Sequence, residues 1–147
     1  MLDPGKIKII TGIAGSAKSS NIDNFFKRNG VEYGRFTSTN KLKRDAFSRY
    51  GCYCDTIAGG LFTTDNGRFF VDQKECSFNN VVIDEILQTD MRVIEWIKDN
   101  AGKKNIIITT DENQMLTKIG GEYLLAKFKE LKQDPRSVCR ELSKTYR

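Results

Sequence analysis

Residues Ile9 to Ser20 read IITGIAGSAKSS. A β-branched run, a turn of small residues, then a lysine and two serines spell a strand whose end opens through a loop onto a helix. The loop fits the pattern G-x-x-x-x-A-K-S, with Gly12, Ile13, Ala14, Gly15, Ser16, Ala17, Lys18 and Ser19 in order, and Ser20 continues the helix's first turn. Such a loop turns consecutive backbone N–H groups inward, and the helix adds its positive end, so phosphate oxygens are cradled. Lys18 is then placed for the β- and γ-phosphates and the Ser19 hydroxyl for Mg2+. Ala17 stands where glycine is usual, a position that serves positive φ or close backbone approach. Alanine covers only part of that range, so a slightly strained or weaker loop is expected. A small-residue turn before any helix would read the same way, and other parts of the chain must decide.

Two further strand ends bear on the question. In NNVVIDEI, Val81, Val82 and Ile83 form the continuous apolar run of a parallel strand covered on both faces, and the run closes on Asp84 and Glu85. Acids at the carboxyl edge of such a sheet lie where ligands bind. Asp84 is the candidate for holding Mg2+, directly or through water, and Glu85 the candidate base for orienting or deprotonating an attacking water. In IIITTDENQM a second apolar run ends in Thr109, Thr110, Asp111 and then Gln114, whose hydroxyl and amide groups can hydrogen-bond a γ-phosphate without adding charge. Taken alone, that segment reads equally well as a polar loop.

Around these ends the chain alternates. Strands are expected over Lys6–Thr11, Gly34–Ser38, Cys52–Cys54, Val81–Ile83, Asn105–Asp111 and from Val138. Helices are expected over Lys18–Arg28, Asn40–Tyr50, Asp55–Phe62, Met91–Lys98 and Glu122–Lys132. Asn40 and Asp55 are the expected N-caps of the second and third helices. Leu42, Ala46 and Phe47 form the expected apolar stripe of one helix, and Tyr123, Leu124, Leu125, Phe128 and Leu131 that of the last. Asn66-Gly67, between β-formers, signals a hairpin. Alternating strands and helices predict an α/β, three-layer domain around a mainly parallel sheet, with residues 1–147 as one domain.

Bulk properties narrow the field. The chain has 147 residues, 39% hydrophobic and 29% charged, with a formal charge of +5. That is a globular composition with a charge compatible with nucleic acid. No apolar run reaches the ~20 residues of a membrane-spanning helix, and the N-terminus lacks the apolar core of a signal peptide. A cytoplasmic protein, of a bacterium or a virus-infected host cell, with no membrane partner is therefore expected. The chain has no histidine, which removes His-based nucleophile activation and most metal-hydrolase sites. Cys52-x-Cys54 reads either as part of a zinc site or as reduced thiols; the spacing is tight and no second pair follows.

In order, GIAGSAKSS, FTSTNKLKRDA, DTIAGGLF, VVIDE, TTDENQM and LSKTYR resemble the motifs of the first RecA-like, ATP-binding domain of superfamily 1 helicases, a P-loop NTPase fold. The resemblance spans essentially the whole chain and is of a viral or phage type. It implies ATP and Mg2+ as cofactors, with Lys18 and Ser19 at the phosphate and magnesium positions and Asp84 and Glu85 as metal-binding and catalytic acids. It implies Gln114 as the γ-phosphate contact and Arg147 as the arginine of a tyrosine–arginine motif. Thr37, Thr39, Asn40 and Lys41 match the segment that touches single-stranded nucleic acid in the family. Hydroxyl, amide and ammonium groups there can grip a sugar–phosphate backbone without reading bases. Family members carry a second RecA-like domain, so this chain is expected to be a fragment, or to work with that domain in another chain, and to be weakly active or inactive alone. A terminase-type DNA-packaging ATPase, a small-molecule or nucleotide kinase, and a non-catalytic nucleic-acid-binding P-loop module remain as other readings. Asp111 with Gln114 argues against the first, and the STNKLKRDA and TIAGGLF elements against the second.

Overall fold

The computed structural model describes residues 5–12, 18–65, 69–86, 89–110 and 121–142, with the side chains of 69, 121, 141 and 142 outside the description. Six strands form one sheet: β1 (Ile7–Gly12), β2 (Gly34–Thr37), β3 (Tyr53–Thr56), β6 (Asn80–Ile83), β7 (Asn105–Thr110) and β8 (Ser137–Leu142). Their order is β3-β2-β6-β7-β1-β8, and every neighbouring pair is parallel. The expected mainly parallel α/β architecture is thus present, with all the strand ends carrying candidate residues on one edge. Strands β4 (Phe62–Asp65) and β5 (Phe69–Gln73) form a separate antiparallel pair. They flank the expected hairpin turn; Asn66 and Gly67 themselves lie outside the described residues.

The helices lie on both faces. Helix α1 (Lys18–Asn29) packs Ile22 and Phe26 against Ile10, Val82 and Ile107. On the opposite face, α3 (Ile57–Leu61), α4 (Arg92–Asn100) and α5 (Gly121–Lys132) cover Ile7, Ile9, Val81, Ile83, Ile106 and Ile108. The alternation of a strand sends successive side chains to opposite faces, and the continuous isoleucine and valine runs feed both cores at once.

Three details differ from the sequence expectations. Helix α2 (Asn40–Tyr50) is capped by Thr39, whose hydroxyl accepts from Leu42 N at 3.1 Å, and not by Asn40, which is already its first helical residue. Helix α3 is likewise capped by Thr56, which accepts from Gly59 N at 3.0 Å; Asp55 lies in β3 and accepts from Thr56 N. In both cases the cap is the last extended residue, one step away from the polar residue expected to serve. The third difference concerns stripes. Of α2's apolar residues only Ala46 is buried, and Phe47 is 61% exposed, because the helix sits against β2 and β3 at the sheet's edge. Tyr123 is 57% exposed as well: a 3.6-residue period that buries Leu124, Phe128 and Leu131 turns Tyr123 aside, where Lys127 Nζ lies 5.7 Å from its ring centroid.

Gly60 in α3 allows the helix to approach β2. A Cβ there would lie 2.4 Å from Phe36 Cε1. Gly60→Ala is expected to destabilise the domain by about 1–3 kcal/mol in chemical denaturation, overcoming alanine's better helix propensity. Gly102→Ala, facing open space, is the control and should lose nothing.

Candidate nucleotide and metal site

The carboxyl edge of the sheet gathers β1, β2, β6 and β7. Strand β1 ends at Gly12; Gly15, Ser16 and Ala17 lie outside the described residues, and α1 then begins at Lys18. No acidic residue occupies the first turn of α1, leaving the helix's positive end unopposed and fit for an anion. Lys18 is buried and its Nζ donates to Gly12 O at 2.8 Å, so it folds back across the start of the loop.

A cavity of about 300 Å3 is lined by Ser19, Thr37, Asp84 and Glu85, with Asp45 and Arg49 of α2 at its side. Residues from α1, β2 and the end of β6 are thereby brought together. Lys18 lies outside this cavity, in a second one of about 550 Å3 between α1, β1 and β8 that Lys6, Lys8 and Arg140 also line. Ser20 is half-buried in the first turn of α1. Gln114 and Arg147 lie outside the described residues, as does Asp111.

Asp84 is held from three directions. Its backbone N donates to Phe36 O at 3.0 Å. Arg35 Nη1 donates to both carboxylate oxygens, at 3.1 and 2.9 Å, and the Thr109 hydroxyl donates to Oδ1 at 3.2 Å. The same Thr109 oxygen accepts from Glu85 N at 3.1 Å. Glu85 adopts φ 53°, a left-handed conformation rare for a residue with a Cβ, and one that in many proteins marks a functional turn. Thr109 therefore ties the end of β7 to both acids. Beside it the Thr110 hydroxyl is buried with no hydrogen-bond partner among the described residues.

Sequence reasoning passed over Arg35 and its surroundings. Its side chain is 0% exposed. Besides Asp84 it reaches Ser19 O and the Tyr33 hydroxyl, each at 3.2 Å through Nη2, and its guanidinium carbon sits 4.7 Å from the Tyr50 ring centroid. Tyr33 in turn donates to Asp23 Oδ1 at 2.7 Å. Burial works against the guanidinium's charge, but Asp84 and Tyr33 outweigh it and hold the arginine above its usual range. Burial likewise raises the Tyr33 hydroxyl, so it stays protonated and donates. An arginine inside a strand of a two-sided parallel sheet was the available signal: such a charge persists only beside an acid.

The candidate nucleic-acid residues divide. Thr39, Asn40 and Lys41 are exposed at the start of α2, whereas Thr37 is buried, its hydroxyl donating to Thr39 O at 3.1 Å. Cys52 and Cys54 are thiols with sulfurs 3.5 Å apart, and no cluster of three His, Cys, Asp or Glu side chains suited to a metal occurs among the described residues. Burial, then the Cys52 neighbour, pushes Cys54 up to about 12, which keeps it protonated and a poor ligand at neutral pH.

The cavity's oxygen donors include the Ser19 hydroxyl and the Asp84 and Glu85 carboxylates, with Asp45 also on its lining, and oxygen is the ligand a hard cation such as Mg2+ takes. A parallel sheet in this strand order, with the start of α1 and an acid pair on one edge, defines a RecA-like P-loop NTPase domain. The family model for the viral superfamily 1 RNA helicase core domain matches residues 8–140, and the chain belongs to that family. Among solved structures it is similar to Bacteroides Pif1 bound to ssDNA, at 18% identity and TM-score 0.61, over 96% of this chain and 39% of that one. It is similar also to Bacteroides Pif1 helicase in complex with ADP-AlF3 and ssDNA, at 19% identity and TM-score 0.60, over 98% and 39% of the two chains. This chain thus spans about two fifths of the length of those helicases. No curated protein matches it.

Proposed function

We propose that the chain is the ATP-binding and ATP-hydrolysing motor domain of a superfamily 1 helicase, coupled to single-stranded nucleic acid. One observation carries the reading: Ser19, Asp84 and Glu85, from two separate elements, line a single cavity beside the N-terminus of α1. The family membership and the likeness to helicases crystallised with ADP-AlF3 and ssDNA support it over a packaging motor or a small-molecule kinase.

In this reading the N–H groups at the start of α1 and Lys18 bind the phosphates. Ser19 and Asp84 hold Mg2+, which when bound neutralises charge on the phosphate oxygens. Glu85, turned by its left-handed backbone, orients and deprotonates the attacking water. Gln114 contacts the γ-phosphate and Arg147 approaches it. Thr39, Asn40 and Lys41 form the nucleic-acid contact, and Thr37, buried behind them, holds the turn through its hydrogen bond to Thr39 O. A second RecA-like domain, in the same or another chain, completes both the nucleotide site and the track, as the greater length of the helicases suggests. Alone, the domain binds nucleotide weakly and hydrolyses little, since turnover depends on two domains closing. Cytoplasm, bacterial or of an infected host cell, is the proposed setting.

Glu85→Gln is expected to leave magnesium-dependent binding of a labelled ATP analogue within about threefold while turnover falls by roughly 10²-fold or more. Loss of binding would make Glu85 structural and sink its role as base. Single-stranded oligonucleotide should bind weakly, and more weakly as salt rises from about 50 to 200 mM, because phosphate contacts release counterions. Binding that ignores salt, or none even at low ionic strength, would remove the Thr39–Lys41 surface from the account.

A further inference from the structure

Arg35 stands apart from the residues that the reading above uses. It is buried in β2, in a cross-sheet row whose members run Cys54, Arg35, Val82, Ile107 and Lys8, with apolar side chains at the centre. One guanidinium bridges two places where a cation's ligands would come from: both oxygens of Asp84, through Nη1, and the carbonyl of Ser19, through Nη2. Tyr50 packs against its plane and Tyr33 accepts a further hydrogen bond, so the fork is fixed rather than free to swing. Asp84, by contrast, is 14% exposed and lines the cavity. The arginine therefore approaches the carboxylate from inside the sheet while solvent or a ligand meets it from the cavity.

We propose that Arg35 is a positioning residue that sets how tightly this site holds a divalent cation, sharing the Asp84 carboxylate with it and fixing the first turn of α1 alongside. The inference rests on the nucleotide-site reading above. A carboxylate already neutralised by a guanidinium at 2.9 Å offers less charge to a cation, and the arginine's own charge repels it. The fork also keeps Asp84 from swinging across the cavity when no cation is there. The device makes cation binding weak until a triphosphate adds its own negative charge, so that metal and nucleotide enter together.

The test titrates magnesium chloride into the protein with a fluorescent non-hydrolysable ATP analogue, comparing the natural sequence with Arg35→Met and Arg35→Lys. Arg35→Met should lower the half-saturating magnesium concentration by about tenfold or more. Its affinity for the analogue in EDTA should stay within about threefold, and Arg35→Lys, which keeps the charge but loses the fork to Ser19 O and Tyr33, should fall between the natural and the Arg35→Met midpoints. A midpoint unchanged or raised in Arg35→Met overturns the proposal. A second measurement needs no variant. The Arg35 Nε–H is buried away from solvent, so in arginine-labelled protein it should give a slowly exchanging nitrogen–proton signal. That signal should shift when magnesium joins the analogue and hold still with analogue in EDTA. A signal indifferent to magnesium overturns the inference even if Arg35→Met fails to fold. If the natural protein binds the analogue neither with magnesium nor without it, the nucleotide-site reading falls and the inference with it. Magnesium-dependent binding with a static Arg35 signal sinks the inference alone.

Discussion

Lys18→Ala is expected to weaken binding of the magnesium–ATP pair by at least about a hundredfold, equivalent to about 2.7 kcal/mol. The figure follows from losing charge-assisted hydrogen bonds from an ammonium to phosphate oxygens, which are stronger than neutral ones. The lysine also has a contact within the protein. Its Nζ rests on Gly12 O at the end of β1, a contact it must release or share to reach a phosphate. Removing that hydrogen bond should lower stability by only about 0.5–1.5 kcal/mol, so a folded variant is available for titration. Lys18→Ala and the natural protein binding the nucleotide with equal affinity would show that the assignment of the loop is wrong.

The second large effect is on folding. Asp84→Ala should lower the unfolding free energy by about 3–5 kcal/mol, since it leaves the Arg35 charge, 0% exposed, without its acid. Replacing both partners, Arg35→Met with Asp84→Leu, should recover most of that loss, because a buried ion pair exchanged for apolar side chains of similar volume is often neutral. Chemical denaturation of the two variants against the natural protein decides it. A loss below about 1 kcal/mol for Asp84→Ala would mean that water screens the pair. The asymmetry matters for the site: truncating the acid strands a buried charge, whereas truncating the arginine leaves a carboxylate that water in the cavity can reach.

What could be read in the chain depended on where the deciding forces act. Strands β1, β6 and β7 were legible because a parallel strand buried on both faces must be apolar at consecutive positions, and KIKIIT, VVI and NIIIT nearly are. The convergence of Ser19, Asp84 and Glu85 followed from the rule that ligand-binding residues collect at the carboxyl ends of such strands. The caps were missed by one residue because threonines and their polar neighbours compete for the same role, and only backbone geometry chooses Thr39 over Asn40 and Thr56 over Asp55. Exposure of Phe47 was invisible because the helical period names a face without saying whether anything covers it. Arg35 was illegible as a site residue for a related reason: its partners Asp84, Ser19 and Tyr50 lie 49, 16 and 15 positions away, and nothing local announces the pairing.

Strand β8 carries a mechanical implication. Its six residues run in register with β1, from Ser137 beside Ile7 to Leu142 beside Gly12. Tension along β8 would be borne in shear, with the whole ladder resisting together, instead of peeling apart one rung at a time. A pull on this margin of the sheet would therefore act on β1 along its whole length, up to the glycine where it gives out.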